Sequence, residues 1–234
     1  MIVKSIRDAL PNVHREGWSF IAATLALALV FAFVFTPFFW VLLILAGWMA
    51  IFFRDPVRVV PTAPGLVVSP ADGRVEPVVR AVPPPELGLG EERRSRVSVF
   101  MNVFDCHINR APVTGSIARI AYKAGRFFSA DLDKASEANE RNGLVIASES
   151  GFDVGVVQIA GLVARRIVCW TREGAGIGAG ERIGMIRFGS RLDVYLPEGS
   201  TIVASAGQRA IAGETVIAVL PGARLAPPFP TRRD

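Results

Sequence analysis

The chain changes texture once, and sharply. Residues 18–53, Trp18 to Phe53, contain no charged side chain, a run of about 36 positions where a single membrane span needs about 20. Thr36-Pro37 falls near its middle, and proline stops a helix while restricting the residue before it. The pattern predicts a hydrophobic helical hairpin, Trp18–Phe35 out and Phe38–Phe53 back. Each arm is short for a full crossing, so a spanning and a re-entrant hairpin both fit. After Phe53 the periodicity is different. Apolar runs of three to eight residues alternate with Gly/Pro punctuation: 65–69, 96–103, 115–122, 144–147, 154–159, 167–170, 185–188, 192–196, 202–204 and 215–220. Short Val/Ile-rich runs bounded by turn residues read as strands. One polar stretch, Leu132–Arg141, is the best candidate for a helix. The fold class expected is mainly β, a sandwich or barrel of short strands, behind an N-terminal helical hairpin. The expected layout is a cytoplasmic head at 1–17, the hairpin at 18–53, a β domain at 54–226 and a frayed tail at 227–234.

Composition narrows the function classes. The chain is 51% hydrophobic and 20% charged, enough apolar surface to offset the ordering entropy of a folded domain. Cys106 and Cys169 are its two cysteines, which excludes a disulfide scaffold and suits a reducing compartment. The formal net charge is +5. A mildly basic domain beside an apolar anchor suits an anionic membrane surface, and no dense Lys/Arg tract points to nucleic acid. Arg7 and Arg15 flank one end of the apolar run and Arg54 and Arg58 the other, so the positive-inside rule puts both ends on the cytoplasmic side of the cell membrane.

Candidate chemistry is sparse. The two histidines are His14, in the head, and His107, in Phe104-Asp105-Cys106-His107-Ile108-Asn109-Arg110. A single histidine at a strand end is more often structural than catalytic. No second histidine or paired-cysteine spacing accompanies it, so no metal site is expected. Asp72 lies in Ser69-Pro70-Ala71-Asp72-Gly73, where Asp-Gly also reads as a plain turn. Gly115-Ser116, Gly189-Ser190 and Gly199-Ser200 each pass as turns or bulges. The turns Gly207-Gln208 and Gly213-Glu214 between short apolar strands give the C-terminal part a carrier-domain-like texture. A carrier needs an exposed lysine to modify, however, and the last lysine is Lys134.

Taken in order, several segments carry more information than any one of them. Phe53-Arg54-Asp55-Pro56, Ser69–Gly73, the His107 segment, Asp133-Lys134-Ala135-Ser136 with Asn139–Asn142, Ile159-Ala160-Gly161 with Ala164-Arg165-Arg166, and Arg187–Arg191 follow one another. In this order they resemble the short bacterial phosphatidylserine decarboxylases, from about Phe53 to Leu220. The resemblance implies a membrane-associated carboxy-lyase made as a proenzyme that cuts itself at a Gly-Ser bond. It would convert phosphatidylserine to phosphatidylethanolamine and CO2 through a pyruvoyl group and a Schiff base. Gly189-Ser190 is the preferred bond, because Arg187-Phe188 precedes it and an alternating apolar run follows. Gly199-Ser200 instead follows Pro197-Glu198 in a turn.

The expected products are chains 1–189 and 190–234, with Ser190 the pyruvoyl precursor. His107 would be the base for self-cleavage and a candidate proton donor, with Asp72 orienting it as in a serine-hydrolase triad. Arg165 and Arg166 are candidates for the lipid phosphate, although a solvated cationic edge fits them equally. The longer relatives have a second histidine three residues away, where this chain has Phe104. The expected partners are phosphatidylserine, the anionic membrane surface, the two chains of one proenzyme and a homo-oligomer. The competing readings are the same chemistry on another seryl-phospholipid, a conventional serine hydrolase, and a non-enzymatic membrane-anchored β binding module.

Overall fold

The computed structural model describes residues 12–125, 139–161, 166–187, 190–226 and 229–234. They form two compact units, one ending at Val57 and one beginning at Arg58.

The first unit is the helical hairpin. Helix α1 runs Arg15–Val34 and α2 Thr36–Phe52, and strands β1 (Asn12–Val13) and β2 (Arg54–Asp55) pair to close its open end. His14 caps α1, its ring nitrogen accepting from the Glu16 N–H at 3.3 Å. The chain reverses at Phe35, which is extended at φ −156° and ψ 90°, while Pro37 sits in the first turn of α2. The break thus falls one residue earlier than the proline rule suggests. A proline in a first helical turn removes an N–H that has no intrahelical acceptor anyway, so it starts a helix at little cost. Small side chains line the inside of the pair: Gly17, Thr24, Ala28 and Ala46 are buried. A Cβ added at Gly17 would lie 2.6 Å from that of Phe53, so a larger residue there would push the helix away from the closing turn. Ile21, Leu42 and Phe52 are buried with them, whereas other large side chains are exposed, among them Leu29, Phe33, Trp40 and Ile44. Among the described residues, α1 is the helix long and apolar enough to cross a membrane; α2, at 17 residues, is shorter.

The second unit is built almost wholly of antiparallel strands. In chain order they are β3 (Val59–Pro61), β4 (Leu66–Val68), β5 (Gly73–Val75), β6 (Val79–Ala81), β7 (Arg94–Met101), β8 (Ile108–Arg110), β9 (Gly115–Lys123), β10 (Arg141–Ser148) and β11 (Asp153–Ala160). There follow β12 (Ile167–Cys169), β13 (Gly176–Ile177), β14 (Arg182–Ile186), β15 (Ser190–Leu196), β16 (Thr201–Ile202), β17 (Arg209–Ala210), β18 (Val216–Val219) and β19 (Thr231–Arg233). The fold class expected from the sequence is therefore observed. A main sheet has the order β13-β9-β10-β11-β15-β7-β5-β17, with β6 added along β7. Two three-stranded sheets, β12-β14-β8 and β16-β18-β4, accompany it.

Residues on one face of the main sheet, including Val97, Val99, Leu144, Val156, Leu192 and Val194, form the larger core together with Ile183 and Ile186 of β14. The opposite face packs a smaller cluster, with Leu87 and Leu89 over Val145, Val157, Ile159 and Tyr195. The runs predicted as strands all hold strands, each a short apolar run bounded by turn residues, and several, β15 among them, are buried along their whole length.

Two expectations change. Residues 227–234 are not frayed throughout: β19 pairs with β3, and the Asp234 side chain is bonded to Arg110 and Arg182. Burial of the Arg110 guanidinium demands a carboxylate, and the C-terminal segment supplies it. The helix expected at Leu132–Arg141 lies mostly outside the described residues, and at its end Arg141 opens β10 instead.

Candidate active site

Ser190 opens β15, between β11 and β7 of the main sheet. It stands opposite Ala160 on one side and Met101 on the other. Cross-strand partners share a face and side chains alternate along a strand, so Ser190 shares the core-facing side with Gln158 and Leu192. The residue is fully buried, and its hydroxyl has no hydrogen-bond partner among the described residues. A buried hydroxyl left unpaired costs about 1–3 kcal/mol. In a native structure such an atom asks for a functional reason.

His107 is also fully buried, one residue before β8. Strand β8 pairs with β14 through Ile108–Met185 and Asn109–Gly184, and the His107 carbonyl accepts from the Ile186 N–H at 3.4 Å. The histidine therefore lies against the strand end that leads, four residues later, into Ser190. Its Nδ1 is 3.0 Å from the Asp105 carbonyl oxygen. A carbonyl only accepts, so that bond places the proton on Nδ1 and the basic lone pair on Nε2. Asp105 is itself held tightly. Its carboxylate accepts from the Asn102 N–H at 2.9 Å and pairs with Arg209.

The expected pairing of Asp72 with His107 is not the arrangement found. Asp72 is bonded instead to Arg58, whose Nη2 lies 2.9 and 2.7 Å from the two carboxylate oxygens, and to the Ala212 N–H at 2.8 Å. Arg58 is buried too. A buried guanidinium without a carboxylate would be strongly unfavourable, and this claims the Asp72 side chain. One contact that orients His107 is the Asp105 carbonyl.

Gly189 and Arg165 lie outside the described residues, as does Asp133–Ser136. Arg166 is exposed, and its carbonyl accepts from the Arg187 N–H at 3.3 Å. Phe104 is exposed as well.

A polar set that sequence reasoning missed crosses this region. The Asn142 Nδ2 donates to Gln158 Oε1 at 2.8 Å, and Gln158 Nε2 donates to Asn109 Oδ1 at 2.8 Å. Asn109 Nδ2 in turn donates to the Met101 sulfur at 3.7 Å. All three amides are buried. Gly184 makes room for them: a Cβ there would sit 3.1 Å from Gln158 Nε2 and 2.2 Å from the Val168 carbonyl oxygen. The one sequence signal was Gln158 itself, a lone amide inside the apolar run 154–159.

A buried strand-end hydroxyl with no partner among the described residues, on the strand that follows the one paired with the His107 segment, is the position of a candidate nucleophile. A model of the phosphatidylserine decarboxylase family matches residues 45–218 of the 234. The chain belongs to the phosphatidylserine decarboxylase family. The match covers the last part of the second arm of the hairpin and nearly all of the β domain, including Asp72, His107, Asn109, Gln158 and Ser190. Membership makes the chain a decarboxylase of phospholipid biosynthesis, a carboxy-lyase whose substrate is phosphatidylserine. The family is known to use a pyruvoyl group, and the residues at Ser190 fit one: a serine hydroxyl with no other bond to make, next to a segment that holds a histidine.

Proposed function

We propose that this chain is a short, bacterial-type phosphatidylserine decarboxylase that processes itself at Gly189-Ser190 and works at the cytoplasmic face of the cell membrane. The observation that carries the proposal is the buried, unpartnered Ser190 hydroxyl at the start of β15, within a family match that spans it.

Self-cleavage needs only the chain's own groups and one water. The Ser190 Oγ bonds to the Gly189 carbonyl carbon while His107 Nε2 takes the hydroxyl proton. Breaking the 189–190 C–N bond converts the amide to an ester. Loss of the Cα proton of residue 190 with the Cβ–O bond then frees the Gly189 carboxylate. Water replaces the remaining nitrogen, which leaves as ammonia. The resulting pyruvoyl ketone would supply the electron sink of the reaction, capturing the substrate amine and accepting the electron pair left by CO2.

Asp105, fixed by Arg209 and the Asn102 N–H, keeps His107 in one tautomer throughout. Burial of the site keeps water from competing for the proton. Arg165 and Arg166 receive the lipid phosphate, for which guanidinium forks are suited. His107 also returns the proton to the substrate carbon, because a second histidine is absent from its segment. The hairpin lies in the bilayer with its exposed apolar side chains in lipid, and Arg15 and Arg54 mark its cytoplasmic end. Chains 1–189 and 190–234 stay together, since β15 is held between β7 and β11. The protein is a homo-oligomer in the membrane.

The test is the intact mass of the purified full-length protein under denaturing conditions, with and without a carbonyl-reactive hydrazine. Two fragments split after Gly189, the smaller taking up hydrazine at its N-terminus, are expected. A small fragment beginning at Ser200 would move the cut and discard Ser190. A single unmodified chain, reproducibly uncut in lipid, would favour a membrane-anchored binding module.

A further inference from the structure

The Asn109 side chain is held at both ends, and the two ends lie on different strands. Its oxygen accepts from Gln158 on β11 and its nitrogen touches Met101 on β7. Those strands flank β15, about 4.8 Å to either side, so the amide passes over β15. The register fixes where. Gln158 stands opposite Leu192, and Met101 stands opposite Ser190, which puts the amide above the stretch between Leu192 and Ser190, with its NH2 end in the Ser190 row. That NH2 group is buried, and the acceptor found for it is a thioether, one of the weakest in proteins. Behind it the polarity is uniform: Asn142 donates to Gln158, and Gln158 donates to Asn109. Each bond in such a chain strengthens the next, and this one ends with its donor hydrogens at Met101, the residue opposite Ser190. A donor without a good acceptor and a hydroxyl without any partner thus share one buried row.

We infer that Asn109 Nδ2 is the hydrogen-bond donor that stabilises the oxyanion formed at the Ser190 centre during self-cleavage, with Gln158 and Asn142 as its positioning residues. The inference rests on the proposed function. When Ser190 Oγ bonds to the Gly189 carbonyl carbon, the carbonyl π pair moves onto oxygen and the hydroxyl proton moves to His107. The new negative charge sits in a site from which water is excluded, where a fixed amide donor is worth far more than in solvent.

The full-length protein in vesicles is followed from synthesis for the rate at which the uncut chain disappears. Asn109→Ala is expected to slow cleavage about 100-fold, the usual effect of removing one oxyanion donor. Asn109→Asp keeps the shape but removes the donor, and is expected to be at least as slow as Asn109→Ala. A packing role predicts the reverse order, with the isosteric carboxylate near the wild-type rate and the truncated side chain slow, and that result would overturn the inference. Hydroxylamine, which splits an ester once formed, should not rescue Asn109→Ala, because the step lost comes before the ester. Rescue to the wild-type rate would place the defect later and also overturn it. If Asn109→Ala fails to fold, Asn109→Asp with hydroxylamine decides alone. Ser190→Ala is measured beside them. Normal cleavage of Ser190→Ala discards the proposed function itself, whereas an uncut Ser190→Ala together with rapid cutting of both Asn109 variants discards this inference alone.

Discussion

The two units of this chain are organised in opposite senses. In the hairpin the buried positions mix small residues, Gly17, Thr24, Ala28 and Ala46, with Ile21, Leu42 and Phe52, while Phe33 is 88% and Ile44 73% exposed. In the β domain large aliphatic side chains are buried, and with them a set of polar ones: His107, Asn109, Gln158, Ser190 and Asp193 are all 0% exposed. Water would oppose the first arrangement, since it leaves a broad apolar surface uncovered. In lipid that surface costs nothing, and helices associate through small side chains that allow close approach. The second arrangement is stable only because nearly every buried polar atom finds a partner. The difference teaches that the same chain uses apolar side chains as an outer surface in one unit and as an enclosure for chemistry in the other.

That contrast can be broken at several points. The largest effect is expected at the enclosed polar centre, where His107→Ala should abolish self-cleavage and all decarboxylase activity, read as an uncut band and absence of CO2 release. Efficient maturation of that variant would remove His107 as the base. Next comes Asp72→Ala, which leaves the Arg58 guanidinium buried without its carboxylate. A loss of about 3–5 kcal/mol is expected, visible as a large drop in the denaturation midpoint of the β domain. An unchanged midpoint would show that Asp72 is not needed as a counter-ion.

The outer surface of the hairpin should respond in the opposite way, to added rather than removed polarity. Arginine at Leu29 or Ile44 is expected to cost about 2.5–3.5 kcal/mol of membrane insertion at a helix centre, measured by flotation with vesicles. Indifference of flotation to both changes would mean that this surface does not face lipid.

The smallest effect is expected at the C-terminal tether. Burial pushes the Asp234 carboxyl upward, but its bonds to Arg110 and Arg182 outweigh that and hold it below the ordinary carboxylate range. A lowered folded value means that the tether contributes fully above the unfolded value, about 3.9, and is lost as the pH falls through the lower folded one. Asp234→Asn should therefore cost about 1–3 kcal/mol at neutral pH and nothing further in acid. Hydrogen exchange of the amides of β19 and β3 reports it. Equal protection in both proteins at neutral pH would contradict the role of Asp234.

The legibility of this protein in its sequence followed the same division. The hairpin was readable because an uncharged run interrupted by one proline has few other solutions, and even its misplaced break moved by a single residue. The strands were readable because each is a short apolar run bounded by turn residues. Ser190 and His107 are proposed as site residues from the order of motifs along the chain. The partner of Asp72 was not legible there, because nothing local shows that Arg58, fourteen residues earlier, is buried beside it. Asn109 and Asn142 stand within the ordered motifs, but nothing local marks either amide as part of a buried network across strands. Gln158 gave a weak signal, an amide where a core strand should be apolar.

The sequence by itself determined the two-part plan, the mainly β class and the residue types available for chemistry, since these depend on periodicity and composition within a few neighbouring positions. Only the tertiary structure decided which groups meet. Asp105 rather than Asp72 holds His107, Asp234 serves Arg110, and Asn109 bridges the strands on either side of Ser190. Hydrogen bonds act over about 3 Å, and the residues they join here are separated by up to 124 positions. Their pairing is set by strand order and register, which no local pattern encodes.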